Sequence, residues 1–219
     1  MEDCGVAARN LARNTPIPSG KHQRRTALED ATLICTSSWL ARVGLSQGRV
    51  LKISLCGAGG VGKTSLAKVF SGQQFNPRER LTVGVQHFFT RIYIGGAERT
   101  IALWDIGGEH RFRLLAPAFL KGSAGVVYVF DITREETFLE LDKWRGLVEK
   151  VLGGVPAVLV GNKADLQELR VVYRDVAEEY ARRYGMLGYF EVSAKDMFDV
   201  DKPFIVLIQR IISGERGLA

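Results

Sequence analysis

The sequence predicts an α/β fold, a three-layer sandwich in which a six-stranded, mostly parallel sheet lies between layers formed by about five helices. Two observations carry this. From Val50 onward, apolar runs of strand length alternate with helical segments, the order that builds a parallel sheet covered on both faces. One pair of runs is instead joined by Gly95, Gly96, Ala97 and Glu98, a turn signal that makes that pair an antiparallel hairpin. In order, the strands read as Val50–Cys56, His87–Ile94, Thr100–Asp105, Gly125–Asp131, Pro156–Gly161 and Gly188–Val192. The helices read as Lys63–Ser71, Phe112–Lys121, Glu135–Leu152, Val172–Tyr184 and Val200–Ser213, with no internal repeat.

Residues 1–48 read differently and are expected to form a basic, mostly irregular N-terminal extension ahead of a main domain over 49–214, with a short tail at 215–219. The stretch NTPIPSGKHQRRT is polar, basic and broken by Pro16 and Pro18. ALEDATLICTSSWLARVGL has enough apolar residues for one short helix ending near Gly44, although they make no clean stripe. A flexible extension, or an over-long start, fits this pattern better than a membrane-surface arm built on Arg24, Arg25 and Arg42.

Composition narrows the class. The 3 cysteines, Cys4, Cys35 and Cys56, lack the paired spacings of zinc sites or disulfide frameworks, so reduced thiols and a cytoplasmic location are expected. No run of about eighteen apolar residues is present, and the first residues lack an uninterrupted apolar stretch, which argues against a spanning helix or a secretory signal. The formal charge of +6 is modest. Without aromatic and basic residues interleaved, it reads as solvated surface, and no nucleic-acid partner is expected.

GAGGVGKT, Gly57 to Thr64, fits G-x-x-x-x-G-K-[ST] between a strand and a helix. Backbone amides of such a loop wrap a phosphate chain, helped by the helix dipole. Gly57, Ala58, Gly59, Gly60, Val61, Gly62, Lys63, Thr64 and Ser65 are therefore the candidate phosphate-binding residues. Glycine at 59, 60 and 62 lets the backbone approach closely. Lys63 reaches the outer phosphates and Thr64 can ligate Mg²⁺. The fold is then that of a P-loop NTPase. NKAD, Asn162 to Asp165, stands at the end of a buried strand, where open α/β sheets bind ligands. A carboxylate there can accept from N1 and N2 of guanine, a donor pair that adenine lacks. Asp165 is thus the guanine selector, with Asn162 bracing the loop and the Lys163 stem over the base, and SAK at Ser193 to Lys195 strengthens the pattern.

With these motifs in order, residues from about Val50 to Ser213 resemble the Ras-superfamily small GTPases, most closely the Rab-like branch, with an Arf-like touch in WDIGG. The resemblance implies a GTP- and GDP-binding switch that uses Mg²⁺ and hydrolyses GTP slowly. It also implies that Thr82, in LTVGVQHF, binds Mg²⁺ and senses the γ-phosphate, that Phe75 packs edge-on against guanine, and that Asp105 holds Mg²⁺ through water. Gly108 would contact the γ-phosphate, and Ala194 would offer its N–H to guanine O6, supported by Ser193 and Lys195. Of the aromatic trio that Rab-like proteins show to effectors, Trp104 and Phe119 fit two positions and His87 stands where phenylalanine is usual. Trp104 and Phe119 are equally what packing of a helix on a sheet requires.

The family usually has glutamine where this chain has Glu109. Glutamate keeps the acceptor that orients water, loses the amide donor and adds a charge of the same sign as the γ-phosphate. The candidate catalytic residues are Glu109, Lys63, Thr82 and Gly108; His110 reads as a solvated neighbour rather than a base. Protein partners (effectors, an exchange factor and a GTPase-activating protein) are expected at the segments around Thr82 and Glu109, on a monomer. The chain ends SGERGLA and begins MEDC, so neither a prenylated terminal cysteine nor a myristoylated glycine is expected, and any membrane contact is peripheral.

Overall fold

A computed structural model of the chain describes residues 50–216. The expected extension, with its short helix, lies outside the described residues, as do positions 217–219. The first strand, β1 (Leu51–Cys56), leads through the glycine-rich loop into α1 (Lys63–Phe70). β2 (Val85–Ile94) and β3 (Ala97–Ile106) form the antiparallel hairpin, turning at Gly95 and Gly96, which both have positive φ. Next come two short helices, α2 (His110–Arg113) and α3 (Ala116–Leu120), and then strand β4 (Gly125–Asp131). Helices α4 (Glu135–Leu139) and α5 (Leu141–Leu152) precede strand β5 (Ala157–Asn162). A 3₁₀ turn at Ala164–Leu169, helix α6 (Arg174–Arg183), strand β6 (Tyr189–Val192) and helix α7 (Asp201–Arg216) complete the order.

The sheet runs β2-β3-β1-β4-β5-β6, with only β2 antiparallel to its neighbour. That is the expected fold class. Two of the five expected helices are divided. Between α2 and α3, Leu114 and Leu115 take a tighter turn in which the Leu115 N–H donates to the Phe112 carbonyl. Pro117, which lacks an N–H, then sits in the first turn of α3, where the missing donor costs little. The division of α4 from α5 at Glu140 and the 3₁₀ turn after NKAD carry no such signal, and α7 continues through Arg216 into the expected tail.

Alternation along β4 divides the core into two layers. Val127 and Val129 join Leu51, Ile53 and Leu55 beneath α1 and α7, where Phe70 and Phe204 stack with ring centroids 4.3 Å apart. Val126, Tyr128 and Phe130 face the other way, against Leu120, Leu141, Trp144 and Ala177 from α3, α5 and α6. At about 1.5–3 kcal/mol for each large apolar side chain removed from water, these layers are the main stabilising term. They also fix the carboxyl ends of β1, β3, β4 and β5 along one rim, where Cys56, Asp105, Asp131 and Asn162 are all buried.

Candidate functional site

The glycine-rich loop turns back on itself at the end of β1. Gly60 and Gly62 adopt φ of 71° and 95°, a left-handed region that side chains disfavour. A Cβ on Gly62 would also overlap the Asn162 amide. Lys63, almost completely buried, folds its ammonium back beneath the loop and donates to the carbonyls of Gly57 (2.9 Å) and Ala58 (2.7 Å). Burial lowers its pKa, with the charge of Asp105 working in the opposite direction. Two of its three donors are thereby used, and the residue still lines the cleft.

Asp105 is the penultimate residue of β3 and has no solvent exposure. Its Oδ2 accepts from the Thr64 hydroxyl at 2.5 Å and the Thr82 hydroxyl at 3.0 Å, and the two hydroxyls are themselves 2.8 Å apart. Its Oδ1 is buried without a hydrogen-bond partner. Burial raises the Asp105 pKa, opposed by the Lys63 charge and the two hydroxyls. Two hydroxyls and a carboxylate with one unsatisfied oxygen form a hard, all-oxygen donor set that suits Mg²⁺, which takes few protein ligands and completes its shell with water and phosphate.

At the other end of the cleft, Asn162 joins two loops: its amide N–H donates to the Val61 carbonyl at 2.8 Å, and its Oδ1 accepts from the Ala194 N–H at 3.2 Å. Lys163 follows in a left-handed conformation, φ 68°, and its ammonium lies 2.6 Å from Asp131. Asp165 is oriented by the Ser193 hydroxyl at 2.8 Å and the Lys195 ammonium at 3.4 Å. Phe75 approaches from the segment after α1, half-buried against the core. Gly107 and Gly108 bring the turn after β3 against the phosphate-binding loop. The Gly107 N–H donates to the Gly84 carbonyl at 2.8 Å, and a Cβ on Gly108 would collide with the backbone of Ala58 and Gly59. Glu109 lies next along, its Cγ 3.7 Å from where a Cβ on Gly59 would stand. His87 and Trp104 are cross-strand partners with ring centroids 4.2 Å apart, whereas Phe119 packs into the layer beneath α3 and α5. The His110 side chain lies outside what is described.

These residues surround one cleft of about 400 Å³, a volume suited to a small ligand. Gly59, Gly60, Gly62, Lys63, Thr64, Ser65, Phe75, Thr82, Gly108, Glu109, Asn162, Lys163, Asp165, Ala194 and Lys195 line it. Gly57, Ala58, Val61, Asp105 and Ser193 stand behind that lining, acting on it through the bonds above. The sequence reading missed Pro77, Glu79, Arg80 and Leu81, which also line the cleft. The short spacing from Phe75 to Thr82, both anchored in the cleft, is the signal that would have found them. It also missed Arg134, whose Nη2 donates to the Gly59 carbonyl at 3.2 Å.

A profile of the Ras family matches residues 52–213. Ras-related protein Rab-12 of Mus musculus is 34% identical over 163 residues, covering 74% of this chain and 67% of its own. Ras-related protein Rab-13 of Bos taurus is 34% identical over 172 residues, covering 77% and 84%. The same level, 34% over 164 residues, holds for Rab-13 of Rattus norvegicus. With this similarity spanning the whole P-loop sandwich and its cleft, the chain belongs to the Ras family on its Rab-like side: a Mg²⁺-dependent GTP- and GDP-binding molecular switch that hydrolyses GTP.

Proposed function

We propose that the cleft residues divide the work of this switch as follows, with slow hydrolysis as the outcome. The amides of the Gly57–Gly62 loop, Lys63 and the first turn of α1 hold the phosphates. Thr64, Thr82 and Asp105, the last through water, hold Mg²⁺, which when bound neutralises phosphate charge. Asp165 selects guanine, and Asn162, Lys163, Ser193, Ala194, Lys195 and Phe75 fix the base. The observation that carries this reading is the meeting of the Thr64 and Thr82 hydroxyls on Asp105, which ties the segment before β2 to α1 and β3. A γ-phosphate with its cation at that junction would order the segments around Thr82 and Glu109, and loss of that phosphate would release them.

In hydrolysis, water attacks the γ-phosphorus, the bond to the β–γ bridging oxygen breaks, and the water's proton leaves with the phosphate. Glu109 can accept a hydrogen bond from that water. It cannot donate to the phosphoryl group as glutamine can. At an effective dielectric of about 20, two like charges about 4 Å apart repel by roughly 4 kcal/mol, so the Glu109 carboxylate opposes its own approach to the γ-phosphate. Slow turnover follows. Effectors and regulators engage the surface around Thr82 and Glu109, where Leu81, Val83, Leu114 and Leu115 are exposed apolar residues. No helix among the described residues is long and apolar enough to cross a membrane. The protein acts in the cytoplasm.

Single-turnover hydrolysis by the full chain tests the Glu109 role. Glu109→Gln restores the donor and removes the charge, so phosphate release should accelerate about a hundredfold, the lower end of what one transition-state donor contributes. An unchanged rate would place the side chain outside the chemistry.

A further inference from the structure

The phosphate-binding loop can aim its amides inward only if its carbonyls are held from outside. Five of the six carbonyls of Gly57–Gly62 are held in this way. The carbonyls of Gly57 and Ala58 accept from Lys63, that of Val61 from Asn162, and that of Gly62 from the Leu66 N–H at 2.9 Å. For Gly59 the donor is Arg134, which lies on the turn after β4 and belongs to none of the nucleotide motifs. Arg134 is itself fixed at a second point, since its Nε donates to Asp131 Oδ2 at 3.0 Å. Asp131 is fully buried, and the same oxygen lies 2.6 Å from the Lys163 ammonium. Thr133 occupies the other oxygen, through its N–H at 3.0 Å and its hydroxyl at 2.7 Å. Glu136 lies 3.9 Å from Nη1 on the solvent side. A planar guanidinium anchored through its Nε presents Nη2 in a set direction, which an ammonium cannot do as well.

We infer that Arg134 is a positioning residue of the phosphate-binding loop: anchored on Asp131, it holds the Gly59 carbonyl outward and so keeps the loop's amides in their phosphate-binding geometry. It works through the loop and not on the reacting atoms, and it sets how long a nucleotide stays bound. The inference rests on the assignment of Gly57–Gly62 to the phosphates. Without that hold, the loop can rotate its Gly59–Gly60 peptide toward water, and bound phosphate loses aligned donors.

The test is release of fluorescently labelled GDP from the full chain with Mg²⁺, together with competition between GTP and inosine triphosphate, which lacks the 2-amino group read by Asp165. Arg134→Met keeps the apolar stem and removes charge and donors; release should quicken about tenfold, the effect of one charge-assisted hydrogen bond. Arg134→Lys, with a donor and charge retained, should return release to within about threefold of the parent. The preference for GTP over inosine triphosphate should stay the same in both, because the base end is untouched. Release from Arg134→Met within twofold of the parent would overturn the inference. So would a Lys variant as fast as Met, or a parallel fall in guanine preference, which would mean general loosening through Asp131 and Lys163. Failure of the parent protein to retain GDP at all would instead refute the assignment of the loop to phosphate.

Discussion

Asp105 and Glu191 are both acidic residues with little or no contact with solvent, and the chain treats them in opposite ways. Glu191, on β6, has a side chain 10% exposed and both oxygens satisfied: Arg170 donates to each at 2.9 Å, and the Tyr189 hydroxyl donates to Oε1 at 2.9 Å. Burial alone would raise its pKa, but the bonds from Arg170 and Tyr189 outweigh it and hold the carboxyl below its ordinary range. Asp105 has two hydroxyls on one oxygen, nothing on the other, and a raised pKa. A carboxylate that the protein completes serves the fold. One left incomplete in a dry place needs something from outside, and the family supplies it as Mg²⁺.

The largest expected effect comes from removing charge at the incomplete site. Asp105→Asn should lower GDP affinity in Mg²⁺ about a hundredfold, a cost of about 2.7 kcal/mol, and abolish the difference between Mg²⁺ and EDTA. Its nucleotide-free stability should be equal or higher, because a buried carboxylate with one unsatisfied oxygen is itself a cost. A variant that lost stability but kept its Mg²⁺ dependence would break the comparison at that end. Arg170→Ala tests the other end. Leaving the buried Glu191 with only the Tyr189 hydroxyl and the more distant Arg174 guanidinium, 3.8 Å away, should destabilise the protein by about 2 kcal/mol in chemical denaturation, with GDP affinity unchanged.

The sequence made one of these carboxylates legible and hid the other, for a physical reason. Asp105 belongs to WDIGG, and the phosphate loop and NKAD are likewise short runs of contiguous residues that carry the chemistry, so their meaning travels with a local pattern. Strands of alternating or continuous apolar character were legible on the same ground. Glu191 gains its meaning from Arg170, 21 positions away, and Arg134 meets Gly59 across 75, pairings that only the packed sheet creates. The division at Glu140 has no proline or glycine to mark it, and the bare Oδ1 of Asp105 is a property of space and not of residue type.

A smaller effect sharpens the comparison through pH. Because the folded-state pKa of Glu191 lies below its ordinary value, its contribution is fully present above about pH 4.5 and fades as pH falls through the lowered folded value. The stability gap between the parent and Glu191→Gln should therefore be constant near neutrality and narrow in acid, as read by denaturation at a series of pH values. The smallest effect belongs to a third carboxylate, Glu98, paired with Arg91 at 3.5 Å with both side chains more than half exposed. Arg91→Ala should shift stability by no more than about 0.5 kcal/mol, since water already serves both partners.

The cross-strand pair on β2 and β3 has an optical side. The Trp104 indole has the Lys52 ammonium 3.6 Å from its ring centre, the His87 ring against it, and Asp105 as its next residue. Trp144, by contrast, is sealed in the core. Of the two tryptophans among the described residues, Trp104 is therefore the one whose emission responds to charge near the cleft. Burial, reinforced by Lys52, keeps the His87 imidazole below its ordinary pKa, so at neutral pH that emission is read against an uncharged neighbour.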